Sequence, residues 1–119
     1  MKRLLDAARN SARAWTVLIR SEAAFRLEAI LLSAALPAAW MISASSLGFL
    51  LLVGVVLLLM IVEALNTAIE AACNALSREF NADIRLAKDC GSLAVALTAL
   101  VAIGAWLHAL WNWAAGTPV

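Results

Sequence analysis

The sequence predicts an all-α integral membrane protein: an N-terminal amphipathic surface helix followed by three transmembrane helices. Three observations carry this. The chain has 119 residues, of which 65% are hydrophobic and 14% charged, whereas soluble domains are about half apolar and about a quarter charged. Its mean hydropathy is +0.92, and the length leaves room for about three spans with short connections. The apolar runs are continuous and rich in Leu and Ala, without the alternation of a barrel strand, so helices must satisfy the backbone in lipid.

The whole chain, 1–119, is expected to form one membrane domain. Residues 1–27 read as a surface helix and connector. Leu4, Leu5, Ala8, Ala12, Trp15, Leu18 and Ile19 form one face, and Asp6, Arg9, Asn10, Arg13, Thr16 and Arg20 the other. Basic residues on the polar face suit anionic headgroups. Charges are too frequent here for the apolar core of a cleavable signal. Glu22 and Glu28 lead into a first span over 29–45, which contains Pro37 and ends near Trp40. Pro37 removes one backbone donor.

The second span starts after a short Ser-rich turn and, with its polar extension, covers 47–76. Residues 47–62 are sixteen uninterrupted apolar positions. They reach only roughly 24 Å at ~1.5 Å per residue, short of a ~30 Å hydrocarbon core. Glu63 is therefore expected at the edge of the hydrocarbon, with Glu70 two turns beyond it. Residues 77–91 read as a connecting loop and 92–113 as a third span, with Ser92, Ala94, Ala96, Ala99, Ala102 and Ala105 as small packing positions. Cys73 and Cys90 make no CxxC pair, and no disulfide is expected. His108, near the outer Trp residues, reads as structural.

All nine Lys and Arg lie before the first span or between the second and third. The positive-inside rule then places the N-terminus and the 77–91 loop in the cytoplasm and the C-terminus outside. Nucleic-acid binding has no support, because the basic residues are few and lie on the membrane side.

The stretch from Met60 to Asn74 organises the rest. With about 100° of rotation per residue, Glu63, Asn66, Glu70 and Asn74 share one narrow stripe. Lipid does not tolerate such a stripe, so it must face protein, water or a metal. A three-helix unit is too small to enclose it alone, which predicts a homo-oligomer. Glu22, Glu28, Glu63, Glu70 and Asp89 are hard oxygen ligands of the kind that suits Mg²⁺ together with phosphates. Lys88 and the arginines suit phosphate oxygens. A carboxylate partly desolvated at the membrane edge suits general-base duty. These parts fit phosphoryl transfer beside a lipid headgroup. There is no GxxxxGK[ST], HRD, DFG or HExxH motif and no zinc-type Cys/His spacing. From these residues alone a membrane enzyme and a small transport or structural subunit stand about level.

Three segments carry a resemblance. Glu22-Ala23-Ala24-Phe25-Arg26-x-Glu28, Val62-Glu63-x-Leu65-Asn66-Thr67-Ala68-Ile69-Glu70 and Ala87-Lys88-Asp89-x-Gly91-Ser92-x-Ala94-Val95 resemble the bacterial integral-membrane diacylglycerol kinases, in order and over nearly the whole chain. The resemblance implies a homotrimer in the bacterial inner membrane that transfers the γ-phosphate of MgATP to diacylglycerol, giving phosphatidic acid, at sites between subunits on the cytoplasmic edge. By matching position it implies Glu63 as the general base, with Asn66 and Glu28 beside it. It implies Glu22 and Glu70 as metal-binding carboxylates that also meet the nucleotide, with Mg²⁺ as cofactor. Lys88, Asp89, Glu79, Arg3 and Ser11 match nucleotide contacts. Asn74, Asn10 and Asn81 depart from the Asp, aromatic and His residues common in the family. The undecaprenol kinases of the same family share these motifs. The Glu22–Arg26 run and Gly91-Ser92 are more similar to the diacylglycerol type.

Overall fold

A computed structural model describes all 119 residues. The chain is four α-helices and no strand: α1 Lys2–Ser21, α2 Ala23–Ile42, α3 Ser46–Leu76 and α4 Ala82–Ala114. Three of them, α2, α3 and α4, are long and apolar enough to cross a membrane. At ~1.5 Å per residue the 31 residues of α3 span about 46 Å, well beyond a ~30 Å hydrocarbon core. The molecule accordingly measures 55 × 40 × 22 Å, a long and flat bundle.

The helices begin earlier than the expected spans. Only Glu22 separates α1 from α2, so residues 23–28 are helical rather than connector. They contain neither Gly nor Pro, and Ala, Leu and Arg favour helix. Residues 82–91, read from the sequence as loop, are the first turns of α4. The reason is local. The Asn81 side chain accepts from the backbone N–H groups of Asp83 (2.9 Å) and Ile84 (3.2 Å), which caps two of the donors that a helix start leaves free. Asp83 in the first turn suits the positive end of the helix dipole. The α2–α3 connection is short, and Ser45 caps α3 through its hydroxyl, which accepts from the Gly48 N–H at 3.0 Å. The Ala44 N–H donates to the Val119 carbonyl, which folds the end of the chain over this turn. Pro37 is accommodated inside α2, which continues to Ile42.

α3 is the central helix, with α2 along one side and α4 along the other; α2 and α4 barely meet. One apolar cluster, Ala39, Ile42, Leu52, Val53 and Ala109, joins α2, α3 and α4 toward the end of the bundle where α3 begins. Nearby, Trp106 Nε1 donates to the Leu52 carbonyl across 3.1 Å. In lipid this satisfies an indole donor that would otherwise have no partner. A second cluster, Leu18, Phe25 and Met60, fastens the α1–α2 elbow to α3 at the other end. Trp15 packs edge-on against Phe25 with ring centroids 5.3 Å apart. Cys73 is buried, Cys90 is exposed, and both are free thiols.

The cap at Asn81 accounts for where α4 starts. Replacing it with Ala removes both acceptor bonds and should cost about 1 kcal/mol. Thermal unfolding in detergent micelles, compared with the wild type, measures this.

Candidate active site

The polar stripe of α3 lies in the crevice between α2 and α4. Glu63 and Asn66 are buried, and Glu70 and Asn74 are half-buried. Glu28, from α2, is buried as well. Three polar side chains are thus at most 9% exposed, although Glu and Asn are ordinarily surface residues. Glu28 Oε2 and Asn66 Oδ1 have no hydrogen-bond partner within the chain. An unpaired buried polar atom costs about 1–3 kcal/mol. Two such atoms in one crevice set it apart from the apolar packing around it.

The carboxylates converge from three elements. Glu28 and Glu63 lie close enough for their charges to repel, and Glu63 also feels Glu22 and Glu70. The break between α1 and α2 falls on Glu22, which is half-buried there. A cluster of like charges in one crevice favours a cation. No three carboxylate, thiol or imidazole groups meet at a single point. That fits Mg²⁺, which takes one or two carboxylates and fills its remaining positions with waters and substrate phosphates. Glu22 and Glu70 are hard oxygen donors at the open end of the crevice, and they fit that demand.

α4 closes the other side. Gly91 is buried against Asn66, and a Cβ there would collide with Asn66 Oδ1. Glycine is therefore what lets the amide lie against α4. Three residues before Gly91, Lys88 Nζ donates to Asn74 Oδ1 across 2.8 Å. This bond fastens the lysine to the stripe through a neutral amide. Asp89 is exposed and lies 4.0 Å from Arg85.

The remaining expected residues are spread out. Arg3 and Ser11 are exposed on α1, and α1 forms no packed pair with α4. No hydrogen bond or ion pair within the chain joins them to Lys88 or Asp89. Glu79 is exposed in the α3–α4 connection, where its N–H donates to the Ser77 hydroxyl. Asn81, read from the sequence as a departure beside the nucleotide, is the cap of α4. Sequence reasoning missed the spacing role of Gly91, which no local pattern reveals. It also missed the cap at Asn81, which Asn before a helical run with Asp two residues on does signal.

Two concavities flank the stripe. A cleft of about 410 Å³ lies between α1 and α3, lined by Asn10, Arg13, Ala14, Val17 and Leu18 on one side and Ala64, Thr67, Ala68 and Ala71 on the other. A wholly apolar groove, also about 410 Å³, lies between α2, α3 and α4, with Leu31, Ala35, Val56, Leu59, Ala102 and Trp106 in its walls. Val56 and Leu59 stand seven and four residues before Glu63, on its face of the helix. The groove therefore runs along the bundle directly below the carboxylates.

The sequence profile of prokaryotic diacylglycerol kinase matches residues 9–110. This chain belongs to the prokaryotic diacylglycerol kinase family. It is 38% identical to the diacylglycerol kinase of Escherichia coli K12 over 92 residues, covering 77% of this chain and 75% of the relative. Against the diacylglycerol kinase of Pseudomonas aeruginosa it is 39% identical over 102 residues, covering 84% and 83%. Membership makes it a membrane kinase of lipid metabolism, and its three apolar helices agree with an inner-membrane protein. The matched region includes every buried polar residue described above, and of the expected site residues it omits only Arg3.

Gly91→Ala should displace the Asn66 amide, cost about 1–3 kcal/mol as other overpacking changes do, and lower kinase activity. Gly104→Ala, where a Cβ meets nothing within 4 Å, should leave activity unchanged. Unfolding midpoints and initial rates of the two variants, measured side by side, check the contrast.

Proposed function

We propose that this kinase transfers the γ-phosphoryl group of ATP to the hydroxyl of diacylglycerol, giving phosphatidic acid, at the cytoplasmic edge of the inner membrane. The observation that carries the reading is the position of Glu63. It is a buried carboxylate on the helix face that continues into a lipid-level apolar groove on one side and a cluster of acidic side chains on the other. An acceptor with an apolar body and a hydroxyl at its head suits that junction.

The residues divide the work. Glu63 accepts the proton of the acceptor hydroxyl as its oxygen forms the new bond to the γ-phosphorus. The bond from that phosphorus to the β–γ bridging oxygen breaks, and ADP leaves with the electron pair. Asn66 and Glu28, buried along with Glu63, hold the acceptor head. General-base assistance of this kind contributes about 10²–10⁴-fold. Mg²⁺ held by Glu22 and Glu70 would neutralise charge on the β- and γ-phosphates. Lys88 offers its ammonium to the phosphates, and Asp89, Glu79, Arg3 and Ser11 contact the rest of the nucleotide.

The absence of any hydrogen bond or ion pair within one chain from Arg3 and Ser11 to Lys88 and Asp89 supports sites shared between subunits of a homotrimer. α1 then lies on the cytoplasmic membrane surface, with the C-terminus outside, in keeping with the distribution of Lys and Arg.

A mixed-micelle assay with labelled ATP and Mg²⁺, offering diacylglycerol and undecaprenol in parallel, tests the reading. Label should appear on diacylglycerol and fall by at least about 10²-fold in Glu63→Gln, with insertion and assembly retained. Label chiefly on undecaprenol would keep the chemistry and change the acceptor. Undiminished turnover in Glu63→Gln would remove the proposed base.

A further inference from the structure

Glu22 stands at the only break between α1 and α2, so its position depends on how that elbow is held. Its backbone is extended, at φ −109° and ψ 108°, and its side chain makes no capping bond at the start of α2. Nothing in its own hydrogen bonding fixes where its carboxylate points. The Glu22 N–H donates to the Leu18 carbonyl and closes the last full turn of α1. The carbonyls of Ile19 and Arg20 come next, and at a helix end such groups lack intrahelical donors.

Arg26 supplies them. From the first turn of α2 its Nη1 reaches back and donates to the Ile19 carbonyl at 2.9 Å and to the Arg20 carbonyl at 3.2 Å. A cation there also lies at the negative end of the α1 dipole. The Arg26 N–H meanwhile donates to the Glu22 carbonyl at 3.1 Å. One residue thus holds the end of α1 with its side chain and the elbow residue with its backbone. No acidic side chain pairs with Arg26 in place of these carbonyls: the ion pairs of the chain are Asp6–Arg9 and Arg85–Asp89.

We propose that Arg26 is a positioning residue, which locks the elbow between α1 and α2 and thereby sets Glu22 against the Glu63–Glu70 face. The proposal rests on the metal-binding role of Glu22 given above. The apolar staple of Trp15, Leu18, Phe25 and Met60 holds the elbow to the bundle. It fixes where α1 is attached, while the bonds from Arg26 fix how its last turn is oriented. Removing the donors should loosen that orientation and leave α2, α3 and α4 packed.

The test uses the full-length protein with Arg26→Met, which keeps a long side chain without a donor, and Arg26→Lys, which restores one. Amide hydrogen exchange read by mass spectrometry should show residues 18–23 of Arg26→Met exchanging about tenfold faster, with α3 and α4 unchanged. The Mg²⁺ concentration for half-maximal lipid phosphorylation should rise roughly tenfold, the scale on which outer partners of metal ligands act. The rate at saturating Mg²⁺ should hold within about twofold, because an interaction that acts only through ligand binding leaves kcat in place. Arg26→Lys should recover most of both effects. Unchanged exchange in Arg26→Met would overturn the clamp, and faster exchange with an unchanged Mg²⁺ requirement would overturn its action on Glu22. If the wild type phosphorylates no lipid alcohol, the proposed function falls and the exchange result alone decides the elbow. If Arg26→Met fails to assemble, Arg26→Leu, which also lacks a donor, takes its place in the same comparison.

Discussion

Placing carboxylates and an amide inside a bundle that is otherwise oil-like is the constraint on which the rest of this molecule depends. Glu28, Glu63 and Asn66 are buried, and two of their oxygens have no partner within the chain. Neither lipid nor an apolar core would accept them at that cost. The surrounding features can be understood as responses. α4 approaches through a glycine so that the Asn66 amide has room. Lys88 is tied to Asn74 across the same seam. α2 contributes its own carboxylate to the crevice instead of sealing it with an apolar side chain.

The apolar parts of the chain hold this crevice in shape from both ends. At one end, the cluster around Ala39, Leu52 and Ala109, with the indole bond from Trp106 to Leu52, fixes the three long helices together. At the other, Leu18, Phe25 and Met60 bring the elbow of α1 and α2 onto α3. Between them the small side chains of Ala35 and Ala102 leave a groove below Glu63. Large side chains at those positions would close it. Membership of the prokaryotic diacylglycerol kinase family puts this groove and crevice in a membrane kinase of lipid metabolism.

Much of this was legible in the residues. Continuous apolar runs fixed the helical class and the three spans, because lipid admits no other backbone arrangement. Helical periodicity placed Glu63, Asn66, Glu70 and Asn74 on one face, and the structure buries the first two. Helix starts were less legible. The segments 23–28 and 82–91 carry charges, which reads as connector, yet nothing in them breaks a helix, and Asn81 starts α4 with its side chain. Least legible were contacts between helices. Arg26 looks like an interfacial cation, and Gly91 looks like a simple small residue. Their roles arise only from the elements that lie opposite them, which no local pattern encodes.

The length of the apolar run in α3 has a consequence for the membrane itself. Sixteen residues separate the α2–α3 turn from Glu63, so the helix acts as a depth gauge with its zero at that carboxylate. In a bilayer thicker than this run, the mismatch must be absorbed by thinning the lipid or by drawing the acidic crevice inward, each at a modest cost per ångström. The vertical position of Glu63 is thus set by bilayer thickness as well as by protein packing. A membrane of changing composition would tune this enzyme without any molecule binding to it.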